Sequence, residues 1–127
     1  MLKKILVVDD EEAIREIFSR ALRSSGFEVI TAPSAEDALE LLKKETPQVM
    51  FLDLNLPGMD GVELARRVRA SNPMTLLYAF TGYVSLFELA NCREAGFDDY
   101  FTKPVDMGLL RRVAAEAFEK VERWRRQ

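Results

Sequence analysis

The chain has no histidine among its 127 residues. That absence removes Ser-His-Asp hydrolysis, histidine-ligated metal sites and a phosphohistidine on this chain in one step. A single cysteine, Cys92, excludes an internal disulfide and suits a reducing cytosol. No apolar run approaches the length of a membrane-spanning helix. Met1-Leu2-Lys3-Lys4 starts like an export signal, but only Ile5 to Val8 follow before acids intervene, far too short for a signal core. A cytoplasmic location is therefore expected, without a membrane partner. No Gly-rich phosphate loop ending in Lys-Ser/Thr is present, which argues against a nucleotide-binding protein. Repeats, linkers and low-complexity segments are missing too. One domain over 1–127 is expected, with 119–127 as the end of a final helix or the start of a linker.

The remaining composition is that of an ordinary soluble domain: 48% apolar and 31% charged residues. Net charge is −3, from 21 acidic and 18 basic residues, which argues against direct nucleic-acid binding as the main task. The charge is unevenly spread. Asp9, Asp10, Glu11, Glu12 and Glu16 crowd the start, whereas Arg111, Arg112, Lys120, Arg123, Arg125 and Arg126 crowd the end. Cations near a C-terminal helix end complement its dipole, which is enough to explain the tail.

Along the chain, short apolar runs alternate with helical periodicity. Lys4 to Val8 reads as a buried strand, and Ile14, Ile17, Phe18, Ala21 and Leu22 recur at helical spacing until Gly26. Phe27 to Thr31 is a second strand. Ser34 with Asp37 three residues on predicts a capped helix over Ala38, Leu41 and Leu42, closed by Pro47. Val49 to Leu52 is the third strand, and Gly61 to Ser71 a helix with Val62, Leu64, Ala65 and Val68 as its apolar face. Met74 to Phe80 is the fourth strand, Val84 to Ala95 a helix, Asp99 to Thr102 a fifth strand, and Asp106 caps a long last helix. Strands and helices alternating in this way predict an α/β fold, a doubly wound parallel sheet with helices on both faces.

Two of these strands end in acid. Ile5-Leu6-Val7-Val8 runs into Asp9-Asp10, and Val49-Met50-Phe51-Leu52 into Asp53. Carboxylates brought close repel and raise one another's pKa, so the cluster implies a bound cation. A helix N-terminus alone would account for acids at 9–12. In doubly wound sheets, however, ligands bind beyond the carboxyl ends of the strands. Asp10, Asp53, Thr81 and Lys103 lie just past the ends of strands one, three, four and five, so chemically compatible groups converge on one edge.

The segments that carry these groups, Ile5-Leu6-Val7-Val8-Asp9-Asp10-Glu11, Asp53 through Gly61, Thr81-Gly82 and Asp99-Tyr100-Phe101-Thr102-Lys103-Pro104, span nearly the whole chain in order. Together they resemble the receiver domain of two-component response regulators, the fold of chemotaxis regulators. The resemblance implies a flavodoxin-like fold with strand order 2-1-3-4-5. It implies that Asp53 is the phospho-acceptor and that Mg²⁺ is the cofactor, bound by Asp10, Asp53 and the backbone carbonyl of Asn55, with Asp9 acting through water. Thr81 and Lys103 would contact the phosphoryl group, and Thr81 with Tyr100 would form the switch. Pro104 would follow a cis bond. Gly58 and Gly61 are assigned to turns that tolerate positive φ.

The implied activity is signalling rather than turnover of a free substrate: a phospho-acceptor that assists its own phosphorylation and dephosphorylation. Its partners would be a histidine kinase or a histidine phosphotransfer protein, and then a downstream protein or a linked output domain; a homodimer stays open. Residues after Glu119 hold no output domain, so the chain is either a stand-alone receiver or a piece of a longer protein. Two positions depart from the common pattern. In Val84-Ser85-Leu86-Phe87-Glu88-Leu89, Leu86, Leu89 and Ala90 are expected in the core and Phe87 to face a partner. Tyr83 is expected to shield the acyl phosphate. A haloacid-dehalogenase-type phosphatase is disfavoured, because it needs an aspartate two residues after the nucleophile and Asn55 stands there. The alternative carried forward is a non-phosphorylated pseudo-receiver that serves as a scaffold.

Overall fold

The computed structural model describes residues 2–82 and 85–125, apart from the Phe87 side chain. Alternate residues of the central strands point to opposite faces, and both faces are apolar, so these strands can only sit between two layers. In β1 (Lys4–Val8), Ile5 and Val7 join one core, while Leu6 and Val8 join the other. In β3 (Val49–Asp53), Val49 and Phe51 face the first core and Met50 and Leu52 the second. The first layer is closed by α1 (Glu12–Ser24), through Phe18, Ala21 and Leu22, and by α5 (Met107–Arg125), through Leu110, Ala114, Ala117 and Phe118. The second is covered by α2 (Ala35–Leu41) and α3 (Gly61–Ser71), with α4 (Leu86–Ala95) adding Cys92 and Ala95.

With β2 (Glu28–Ala32), β4 (Leu76–Thr81) and β5 (Asp99–Thr102), the sheet is parallel in the order β2-β1-β3-β4-β5. This is the expected doubly wound, flavodoxin-like arrangement. Its register decides where the functional groups meet. Val8 lies beside Leu52, Asp53 beside Phe80, and Thr81 beside Thr102, so all four strands end at one edge. The expected caps form: Ser34 Oγ accepts from the Asp37 N–H, and Asp106 Oδ2 from the Leu109 N–H.

Several expectations shift. Strand β2 lies one residue later than the sequence pattern indicated, and β4 starts at Leu76, which leaves Met74 exposed. Ile17 falls off the buried stripe of α1 and is half exposed. The larger correction concerns α4. Ser85 and Glu88 form a reciprocal capping box that starts the helix at Leu86 and so fixes its rotation. Cys92 and Ala95 then face inward, Ala90 faces out, Leu89 is half-buried, and Leu86 is 85% exposed rather than in the core. The expectations for Tyr83 and the Phe87 side chain fall outside the described residues.

Candidate functional site

Asp53 is the last residue of β3 and is only 3% exposed. Asp9 follows β1 directly and is fully buried, and Asp10 beside it is exposed at the rim. Each of the three carboxyl groups offers an oxygen, and these oxygens lie within 4.8 Å of one another. The predicted acidic cluster therefore forms. Backbone donors tie it down: the Glu11 N–H donates to Asp9 Oδ1 at 2.8 Å, and the Asn55 N–H to Asp53 Oδ1 at 3.1 Å.

The cation facing this cluster comes from the residue that follows β5. Lys103 Nζ lies 3.1 Å from Asp9 Oδ2 and 3.3 Å from Asp53 Oδ2. Its contact with Asp9 is an ion pair without hydrogen-bond alignment, so that buried oxygen keeps its acceptor capacity. The ammonium also sits 5.3 Å from the centre of the Phe80 ring. The Lys103 N–H donates to the Thr81 carbonyl at 2.7 Å, and the Lys103–Pro104 bond is cis, as the sequence resemblance implied. Burial pushes the Asp9 carboxyl above its ordinary range and Asp53 adds to this, against the Glu11 N–H and Lys103. Burial works the other way on Lys103, but Asp9 and Asp53 outweigh it and hold the ammonium more firmly protonated than a free lysine.

Thr81 ends β4 and is fully buried. The Asn55 side chain reaches across and donates from Nδ2 to Thr81 Oγ1 at 2.9 Å. Asp9, Asp10, Asp53, Asn55, Thr81 and Lys103 thus share one edge.

A family model described as the response regulator receiver domain matches residues 5–115. The chain belongs to that family. It is 41% identical over 104 residues to the alkaline phosphatase synthesis transcriptional regulatory protein PhoP of Bacillus subtilis, covering 82% of this chain and 43% of that protein. It is 39% identical over 107 residues to a cyclic di-GMP phosphodiesterase of Thermotoga maritima, covering 84% of this chain and 28% of that protein. The chain thus spans less than half the length of either relative. Among solved structures it is similar to a CheY-like receiver domain protein from Methanospirillum hungatei, with a TM-score of 0.89, 32% identity, and 97% and 99% of the two chains covered. The BeF3 activated DrrB receiver domain superposes with a TM-score of 0.86, at 32% identity, covering 94% of this chain and 99% of that one.

The remaining expected residue of this receiver, Tyr100, stands apart from the cluster. It lies on β5 opposite Ala79 and is 40% exposed, so its ring is turned outward. The two turn glycines differ in their reason. Gly58 has a φ of 74°, as expected. Gly61 does not lie in the left-handed region; a Cβ there would stand 2.2 Å from the Asp53 carbonyl oxygen. It is required by the close approach of α3 to the acid-bearing strand. Sequence reasoning missed three supports. Arg15 Nη1 donates to the Asp9 carbonyl at 2.9 Å, Glu36 Oε2 accepts from the Met59 N–H at 3.1 Å, and the Asn55 side chain bonds to Thr81. The Glu36 and Asn55 contacts have no local signature, since they join residues 23 and 26 positions apart, and the Arg15 contact, six residues from Asp9, depends on how α1 follows β1.

The donors at this edge are all oxygen, mostly carboxylate, and one buried Asp9 oxygen still has room to accept. Such a set fits a hard divalent cation that keeps several waters, and it offers no soft or imidazole ligand.

Proposed function

We propose that the chain is a phosphorylation-dependent signalling receiver and that Asp53 is its phospho-acceptor. The observation that carries this reading is Lys103 Nζ in contact with both Asp9 and Asp53, beside a buried Thr81 hydroxyl. A carboxylate oxygen of Asp53 attacks phosphorus in line; the donor's bond to phosphorus breaks, and its electron pair leaves with the donor. A phosphohistidine on a kinase or phosphotransfer protein is one donor, and a small acyl phosphate another. Asp10, Asp53 and the Asn55 carbonyl would hold Mg²⁺, with Asp9 acting through water, and the ion supplies positive charge to the transferring phosphoryl oxygens. Lys103 neutralises charge on the acceptor side, and the Thr81 hydroxyl donates to a phosphoryl oxygen. Positioning and electrostatics dominate such transfer, so these few groups are a sufficient apparatus.

The added negative charge and acceptor oxygens of the Asp53 acyl phosphate then bias Thr81 and Tyr100, and with them the surface of β4, α4 and β5. Output is read by a partner or by a linked domain. The two relatives differ in role, one transcriptional and one a phosphodiesterase, so a regulator of either kind is compatible with this receiver and the negative net charge does not exclude a DNA-binding partner domain. The domain as a whole, 1–127, acts as one receiver unit in the cytoplasm on this reading.

Intact-protein mass spectrometry after incubation with Mg²⁺ and acetyl phosphate tests it. The expected result is one added phosphoryl group in wild type and none in Asp53→Ala. No adduct on wild type would favour the scaffold reading.

A further inference from the structure

Arg15 stands where electrostatics disfavours a cation. It lies in the first turn of α1, near the positive end of that helix's dipole, and its side chain reaches toward an edge whose acids suit a divalent metal. What holds it there is a hydrogen bond: Nη1 donates to the Asp9 carbonyl at 2.9 Å. That carbonyl belongs to the peptide joining Asp9 to Asp10, the two acids that β1 delivers to the edge. Asp9 is anchored in other ways too. Its N–H donates to the Ala32 carbonyl at 3.2 Å, its Oδ1 accepts the Glu11 N–H at 2.8 Å, and its Oδ2 pairs with Lys103. Asp10 has no such anchors: it is exposed, and among the described residues its carboxylate accepts no hydrogen bond and forms no ion pair. Glu11, at the start of α1, makes no side-chain cap either. The Asp9–Asp10 peptide therefore decides where the Asp10 carboxylate stands, and Arg15 is the side chain that holds that peptide.

We infer that Arg15 is a positioning residue for the metal: by fixing the Asp9–Asp10 peptide it keeps the Asp10 carboxylate beside Asp9 and Asp53, ready for Mg²⁺. The inference rests on the Mg²⁺ reading of this edge, whereas the tether itself does not. A ligand ordered before binding does not lose that freedom when the ion arrives, so preorganisation strengthens binding. Two effects of Arg15 oppose each other here. Its charge repels a dication, and its hydrogen bond preorganises a ligand for one. The charge acts at a rim open to screening by salt, whereas the hydrogen bond acts directly on the peptide that carries Asp10, so the tether outweighs the charge. The sign of the change on removing Arg15 separates the two: loss of charge alone would tighten Mg²⁺ binding, and loss of the tether weakens it.

Calorimetric titration of the unmodified protein with Mg²⁺ tests this, comparing wild type with Arg15→Met, Arg15→Lys and Arg20→Met. Arg20 is the control for charge, since it lies further along α1, is exposed, and makes no hydrogen bond or ion pair among the described residues. Arg15→Met should weaken Mg²⁺ binding about three- to tenfold, the scale of one hydrogen bond. Arg15→Lys should recover part of that loss, because an ammonium can still donate to the same carbonyl. Arg20→Met should leave the affinity equal or slightly tighter. In the metal-free protein, the order parameter of the Asp10 N–H should fall in Arg15→Met and hold in Arg20→Met. Equal or tighter binding by Arg15→Met, a loss that Arg15→Lys does not relieve, or an Asp10 amide as rigid as in wild type would each overturn the role of Arg15 while Mg²⁺ binding to wild type stands. A wild type that binds no Mg²⁺ would instead overturn the metal reading, and this role with it.

Discussion

Lys103 is the residue on which the resting site depends. Without a bound cation, its ammonium is what offsets two nearly buried carboxylates, Asp9 and Asp53. Breaking a fully buried ion pair by removing one partner costs about 3–5 kcal/mol, but Lys103 retains 22% of its side-chain exposure, which lowers the figure. Lys103→Met is therefore expected to destabilise the metal-free protein by about 1–3 kcal/mol, because Asp9 and Asp53 then repel across a poorly hydrated space. Saturating Mg²⁺ should narrow the gap between variant and wild type, since it replaces the missing charge. Urea unfolding with and without Mg²⁺ measures both quantities. A deficit that Mg²⁺ does not touch would mean that Lys103 matters for packing and not for charge.

At the scale of elements, the loop between β3 and α3 carries Asn55 and is held from both ends. Gly61 lets α3 begin against the Asp53 carbonyl, and Glu36 on α2 accepts the Met59 N–H. That backbone donor is the main reason that the Glu36 carboxyl is held below its ordinary value. A lowered folded pKa means that the clamp is present above 4.5, the ordinary value, and is lost as pH falls through the folded value beneath it. The Met59 amide resonance should therefore titrate with a midpoint below 4.5, and the transition should vanish in Glu36→Gln. A midpoint at or above the ordinary value would show that the clamp is absent in solution. Helix α4 illustrates the opposite case: a helix over Val84 to Ala95 was legible, whereas its start at the Ser85 and Glu88 capping box and its exposed side were not. Apolar content suggested core for Leu86 and Ala90, but the rotation set by the capping box turned them outward.

For the whole molecule, alkaline stability is governed by Tyr78 in the sheet interior. Burial pushes its phenol up to about 12, with Asp98, Asp99 and Glu116 adding repulsion. The unfolded phenol ionises near 10, so the raised folded value leaves stability unaffected below about pH 10 and erodes it as pH rises toward 12. The slope is about 1.4 kcal/mol per pH unit, or about 2–3 kcal/mol over that window. Urea midpoints for wild type and Tyr78→Phe should run parallel up to pH 10 and converge or cross above it, because the phenylalanine variant keeps the stacking on Phe51 without the ionisation. Parallel curves throughout would place the Tyr78 phenolate in contact with water.

Periodicity within short windows determined the strands, the helices and the two-layer cover, because alternation by two or by 3.6 residues is written in neighbouring positions. The same windows placed Asp9, Asp10, Asp53, Thr81 and Lys103 at strand ends, and parallel strands alone then require them to share an edge. What the sequence left open was every distance across that edge. Sheet register brought Lys103 between Asp9 and Asp53, close approach of α3 made Gly61 obligatory, and the path of the β3–α3 loop put the Asn55 amide on Thr81. Those contacts join residues from separate elements, and a hydrogen bond is made or lost over less than an ångström, a scale that only the packed tertiary structure decides.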